Sequence, residues 1–305
     1  MVASTVRPGL KRRARPGERA IEFGLFAAAF SSVLTTTAIV VILVYESWQF
    51  FRHVPIVTFL TDTMWTPLFA DARYGILPLL SGTLLSTAVA LVVAVPLGLT
   101  AAIYLSEFAS PRVREVVKPV LEVLSGVPTV VYGYFALLFV TPLLQATILP
   151  GLPGFNILGP GIVIGIMIVP YISSVSEDAM RAVPVDLREG SYAMGATKFQ
   201  TAVKVVLPAA TSGVAAAIVL GISRAVGETM VVAIAAGQQP NLTLDPTQPA
   251  ATITAYIVQV ALGDLPHDSI GYQTIFAAGL TLLLLTLFFN VAAYVMRRRF
   301  REVYV

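Results

Sequence analysis

Arg224 and Glu228 stand four residues apart in the stretch GISRAVGETMVVAIAAG, whose other residues are small, apolar or hydroxyl-bearing. At that spacing on a helix the two side chains share a face and can pair. A guanidinium offers a planar fork of donors that fits two oxygens of an oxyanion. Thr229 adds a hydroxyl beside them, although hydroxyls in apolar helices commonly bond a backbone carbonyl. Two chemistries stand for the pair: contact with an anionic solute, or an ion pair that holds two helices in register. Gly221, Gly227 and Gly237 in the same stretch are read as sites of close helix approach.

The elements that must position this pair follow from composition. Of 305 residues, 56% are hydrophobic and 12% charged, and the mean hydropathy is +0.81. This is a bilayer protein. The absence of cysteine excludes disulfides, thiolate metal sites and cysteine nucleophiles, and two separated histidines, His53 and His267, are too few for a histidine metal site. No nucleophile, base and orienting group cluster in the sequence, and no GxxxxGK[ST] phosphate loop is present, so neither an enzyme nor an ATPase is expected.

A crossing helix needs about 20 predominantly apolar residues. Six stretches qualify: 21–47, 77–106, 120–148, 159–175, 211–237 and 272–296. The first is too long, and lacks a small-residue cleavage site, to be a signal peptide. A charge at the bilayer centre costs roughly 2.5–3.5 kcal/mol on insertion scales, so Arg224 and Glu228 must face the bundle interior or a wet cavity.

Seventeen of the twenty Lys and Arg residues fall before the first stretch and after the second, fourth and sixth, whereas the alternate loops hold only Arg52 and Arg73. Basic residues near spans stay in the cytoplasm, so both termini are expected there. The expectation is an all-α polytopic membrane protein with six transmembrane helices. Its divisions are a basic tail (1–20), a first helix (21–48), an external loop (49–76), a five-helix core (77–297) holding a cytoplasmic loop (180–210), and a short tail (298–305). The basic amino-terminal tail is an orientation signal with attraction to anionic membrane lipid, not a nucleic-acid site.

Elsewhere the reading is coarser. Pro96, Pro128, Pro142 and Pro170 fall in or near spans, where proline removes a donor and kinks a helix. SGVPTVVYG can form a broken segment lining a path. Residues 238–270 carry no Lys or Arg and are expected along the outer surface, and Glu177 and Asp178 are read as a solvated helix end.

The stretch RAVPVDLREGSYAMGATKFQTAVKVVLPAA is too polar to cross. Pro184 and Asp186 suit a helix start, Gly195 permits a turn, and a second short helix carries Phe199, Val203 and Val206 before Pro208. Such a unit either docks a cytoplasmic partner or is an amphipathic connector.

Its spacing resembles the EAA loop of ATP-binding-cassette importer permeases. Glu189, Gly195, Val205, Leu207 and Pro208 fall on the pattern E-A-A, three residues, G, nine residues, I, one residue, L-P, with Gly190 and Ser191 in the alanine positions. The resemblance implies that this loop couples to an ATPase. SGTLLSTAVALVVAVPLGLTAAIYLSEFA, LSGVPTVVYGYFAL, SEDAMRAVP and SRAVGETMVV further resemble phosphate-specific importer permeases of the PstC type, over residues 77–305, with the PstA type as nearest sister.

That resemblance implies a type I permease-like bundle in the bacterial cytoplasmic (inner) membrane. Its partners would be a sister permease of the PstA type, an ATPase dimer of the PstB type that binds ATP and magnesium, and a periplasmic or lipid-anchored phosphate-binding protein of the PstS type. This chain itself would bind no cofactor. Two alternatives stand beside it: a permease for sulfate or molybdate, and a channel or secondary transporter. The EAA spacing and the lack of an inverted repeat argue against the last.

Overall fold

The structure is a computed structural model that describes residues 16–267 and 269–299. Fourteen α-helices are described: α1 (Pro16–Phe51), α2 (Ile56–Thr61), α3 (Leu77–Ile103), α4 (Pro111–Ser125), α5 (Thr129–Phe135), α6 (Thr141–Thr147), α7 (Leu158–Arg181), α8 (Val185–Ala193), α9 (Lys198–Thr201), α10 (Leu207–Ala209), α11 (Thr211–Val226), α12 (Met230–Ala235), α13 (Ile253–Ala261) and α14 (Ile270–Arg299). Most of the basic tail, including Arg7, Lys11, Arg12, Arg13 and Arg15, lies outside the described residues, as does Arg301.

Among the described residues, five helical stretches are long and apolar enough to cross a membrane: Arg19–Phe51, Leu77–Phe108, Thr129–Thr147, Leu158–Arg181 and Ile270–Val295. A sixth apolar stretch is bent, with Lys198–Ala209 and Thr211–Val226 meeting at 75°.

Among the described residues, three one-turn π-helices, Tyr104–Phe108, Ala136–Val140 and Ala202–Val206, join or extend these helices. The last two each end two residues before a proline, Pro142 or Pro208. Proline has no N–H and its ring clashes with the carbonyl four residues back, so widening the preceding turn lets the helix continue.

α7 is the centre of the bundle, packed on α3 and α11. Glycine sets that contact. A Cβ on Gly165 would lie 2.7 Å from the Ala90 carbonyl oxygen, and one on Gly221 would lie 3.0 Å from Ile172 Cδ1. Gly165→Ala is therefore expected to destabilise the chain by about 1–3 kcal/mol through overpacking. A melt of the purified protein in detergent checks this, and an unshifted midpoint would contradict it.

The main apolar core lies between α3, α7, α12 and the α5–α6 segment. A second core joins the end of α1 to α2, α13 and α14, with Trp65 edge-on to Tyr256 at 5.0 Å. Above it Trp65 and Tyr74 form an antiparallel bridge, and Arg73 Nε and Nη2 donate to Asp62 at 2.9 and 3.0 Å. α1 leans on α14 and leaves most of its apolar side chains exposed, as a lipid-facing helix does.

Several expectations need correction. The third stretch is not one helix from 120: α4 ends at Ser125, and the chain restarts at Thr129 after Pro128. α4 is amphipathic and buries no residue, so its apolar half had merged with the next span in a hydropathy reading. The fifth stretch is broken at Gly227–Thr229 and its helix ends at Ala235. Residues 238–270 do not simply lie on the surface. Thr252 caps α13 by accepting from the Ala255 N–H, and Ile253, Thr254, Ala255, Tyr256 and Val260 are buried.

Candidate functional site

Arg224 sits in the last turn of α11 and Glu228 in the break that follows, where Glu228 N–H still donates to the Ala225 carbonyl at 3.2 Å. Arg224 Nη1 donates to Glu228 Oε2 at 2.9 Å. The two ends of the pair differ: the Arg224 side chain is 35% exposed and that of Glu228 is 2% exposed. The other Glu228 oxygen, Oε1, accepts from the Val231 N–H at 3.4 Å, so the carboxylate also holds the start of α12. Met167 Sδ of α7 lies 4.0 Å from Arg224 Nη2.

The break is fixed from a second direction. Thr254 Oγ1 donates to the Glu228 carbonyl at 2.6 Å, and Thr83 Oγ1 of α3 accepts from the Ile253 N–H at 3.0 Å. Sequence reasoning missed Thr254, since nothing in its own neighbourhood tells that α13 folds back beneath the break. It also missed Asn290 of α14, whose Oδ1 accepts from Ser223 Oγ at 3.3 Å. Thr229 turns to its own backbone, donating to the Gly227 carbonyl at 3.2 Å.

The glycines of this stretch have different reasons. Gly221 is a helix contact, whereas a Cβ on Gly227 would meet nothing closer than 3.5 Å. Gly237 has φ +96°, and its Cβ would lie 2.7 Å from Phe155 Cβ, so it is a turn glycine.

The loop 180–210 forms a helix, turn and helix. Gly195 supplies the turn with φ +83°, a conformation that side chains with a Cβ rarely adopt. Thr197 and Gln200 then close a capping box that starts α9. Glu189 and Gly190 are exposed on α8, Ser191 Oγ lies 2.9 Å from Thr201 Oγ1, and Leu207 and Pro208 form α10. Val185, Tyr192, Met194 and Phe199 are exposed apolar side chains on the same unit. Space around Gly190 is open to 4 Å, so Gly190→Ala is expected to stabilise α8 by up to about 1 kcal/mol. A higher melting midpoint checks this; a lower one would contradict it.

One ion cluster anchors this unit to the bundle, and a second ties α4 to α7 beside it. Arg188 donates to Glu107 at 3.0 Å through Nη2 and also to the carbonyls of Met180 and Val183 at 2.8 and 2.6 Å. Glu177, read from sequence as solvated, is 0% exposed. Arg114 Nε and Lys118 Nζ of α4 meet its two oxygens, the latter at 3.3 Å, and Arg181 lies at 4.0 Å. Lys118 also donates to Asp178 at 2.9 Å. Burial alone would lower the Lys118 pKa, but the Asp178 and Glu177 carboxylates outweigh it and raise it above the ordinary lysine value.

Glu177 accepts no aligned hydrogen bond among the described residues, so charge pairing holds it. Glu177→Ala would take from Arg114 its ion-pair partner while Lys118 keeps Asp178, and is expected to cost about 1–3 kcal/mol. Denaturant unfolding in detergent measures it, and an unchanged midpoint would contradict the assignment.

Residues 94–302 match the family described as "Binding-protein-dependent transport system inner membrane component". The chain belongs to that family. It is therefore a multi-pass inner-membrane permease, with the helical bundle of ATP-binding-cassette importers. The permease is 37% identical over 276 residues to the probable ABC transporter permease protein YqgH of Bacillus subtilis, covering 90% of this chain and 89% of that one. It is 31% identical over 294 residues to the phosphate transport system permease protein PstC of Mesorhizobium japonicum, covering 89% and 88%. Among solved structures, the bacterial alginate ABC transporter with its pentasaccharide-bound periplasmic protein superposes with TM-score 0.64 at 17% identity, over 95% of this permease and 99% of that chain. This last likeness concerns the fold.

Proposed function

We propose that this permease is the PstC-type subunit of an ATP-driven importer of inorganic phosphate. The observation that carries the reading is the asymmetric pair at the α11–α12 break: a buried Glu228 carboxylate holds a guanidinium that keeps a third of its side chain open. Such a group can turn its donor fork from the carboxylate to two phosphate oxygens without being built anew. The PstC names among the relatives support phosphate as the solute.

In this reading the open side of Arg224 faces a path shared with a PstA-type sister permease. A periplasmic or lipid-anchored PstS-type protein delivers phosphate, and a PstB-type ATPase dimer receives the loop 180–210 through Glu189, Gly190, Ser191, Gly195, Leu207 and Pro208. The ATPase binds ATP and magnesium and this chain binds neither. Both termini lie in the cytoplasm. ATP binding and hydrolysis tilt the helices between outward-open and inward-open states.

A second reading, transport of another oxyanion, is compatible with the relative YqgH, whose name states no substrate. ATP hydrolysis by the purified complex separates the two. Phosphate-loaded binding protein is expected to stimulate it, and stimulation only by a sulfate- or molybdate-loaded one would overturn the phosphate reading.

A further inference from the structure

Where the π-turn after α3 meets α4, α7 and α8, at the base of the loop 180–210, the bundle leaves a cavity of about 340 Å³. Ser106, Arg114, Arg181 and Arg188 supply its polar lining, and no acidic residue among the described residues lines it. The carboxylates that balance these arginines, Glu177 and Glu107, are 0% and 5% exposed and so lie behind them. The cavity therefore meets the cationic side of each pair.

The three guanidiniums are not equally committed. Arg188 is 15% exposed, and its Nε, Nη1 and Nη2 all donate to Glu107 or to backbone carbonyls. Arg181 is 47% exposed, and its one ion-pair contact among the described residues is Glu177 at 4.0 Å. Arg114 is 29% exposed and meets Glu177 through Nε. Two guanidiniums thus keep donors free at the mouth while the third is fixed.

The first turns of two helices add to the same field. Pro111 opens the fifteen-residue α4 and Val185 opens the nine-residue α8, and both residues line the cavity. Helix N-termini carry partial positive charge.

We propose that this cavity is an oxyanion site, distinct from the Arg224–Glu228 pair, that takes a phosphoryl group through Arg181 and Arg114. The volume suits one such group with its water, and paired guanidiniums are the groups that grip phosphoryl oxygens bidentately. Either free inorganic phosphate or the headgroup of an anionic phospholipid presents that chemistry. Occupancy would bridge α4 to α7 directly above α8, at the root of the loop.

The test uses the full chain in nanodiscs, with Arg224→Gln/Glu228→Gln as background so that phosphate held by the pair does not contribute and no buried carboxylate is left unpaired. In the first arm the discs are phosphatidylcholine only and inorganic phosphate is titrated. In the second, phosphatidylglycerol is included and lipids retained by the released protein are counted by native mass spectrometry. Two variants are compared in each arm. Arg181→Gln removes a half-exposed cation, and Val185→Glu adds a carboxylate at the rim from a residue 61% exposed, leaving every ion pair in place.

Both variants are expected to weaken phosphate binding at least about tenfold, or to lose one retained phosphatidylglycerol. A fall in the first arm supports free phosphate as the occupant, and a fall in the second supports a lipid headgroup. Equal behaviour of both variants and the background chain in both arms would overturn the site.

Discussion

Replacing Arg224 and Glu228 together by glutamine is expected to leave the permease assembled with its partners and responsive to ATP, while phosphate uptake per complex falls by about ten- to a hundredfold. The double change matters because the single one is ambiguous. Arg224→Gln alone strands a carboxylate that is 2% exposed, and an unpaired buried charge destabilises by several kcal/mol whatever its role. With both charges gone, two amides can still bond each other across the same turn and reach the Val231 N–H, so a pair that serves only packing is largely replaced.

A solute-binding guanidinium is not replaceable in that way. The amide surrenders both the charge and the two-pronged geometry, and hydrogen bonds to charged groups contribute about 1.5–3 kcal/mol each. Glu228 has a further part in this account. Hydrogen phosphate can donate a hydrogen bond through its remaining proton to a nearby carboxylate, whereas fully ionised sulfate is only repelled. Glu228→Gln alone should therefore narrow the preference for phosphate over sulfate. Uptake by the double variant near the unmutated level would reduce the pair to packing.

Gly195→Pro is the second change with a large expected effect, and it acts at the opposite functional end. Gly195 has φ +83°, whereas proline is confined near −65°, so the turn between α8 and α9 cannot form. The exposed apolar side chains of Tyr192, Met194 and Phe199 would lose their common arrangement. The chain should still insert, because the crossing helices do not depend on this turn. The ATPase recovered with the tagged permease should fall at least about tenfold, and uptake with it. Glu189→Lys, which reverses an exposed charge on the same unit, should give a milder loss. Wild-type recovery of ATPase with Gly195→Pro would refute this coupling role.

What could be read from the residues, and what could not, divides along the range of the forces involved. Apolar windows find crossing helices because lipid acts on each segment separately and demands about 20 residues whatever its neighbours. Turn chemistry is equally local: Gly195 announces its turn without reference to the rest of the chain. Long-range pairing leaves no such trace. Glu177 lies 63 positions from Arg114 along the chain, and only the packing of α4 on α7 turns a residue that looks solvated into a buried one.

α13 was hidden for a related reason. Its nine residues are too short to cross, yet Thr252 caps it and Thr83 receives it, and so its apolar face goes under the bundle rather than along the surface. The break at Gly227–Thr229 escaped notice because apolar residues resume at Met230 directly after it and no proline marks it. Thr254 and Asn290 belong to the same class, as ordinary polar residues that matter only through where α13 and α14 bring them.

ATP-driven phosphate accumulation by the purified complex tests the central claim most directly. The permease would be reconstituted into vesicles with its sister permease and ATPase, with ATP enclosed on the ATPase side and radiolabelled phosphate and binding protein on the other. The account predicts phosphate uptake that requires ATP and exceeds sulfate and molybdate uptake at equal concentration. ATP-dependent accumulation of sulfate or molybdate with none of phosphate would contradict it.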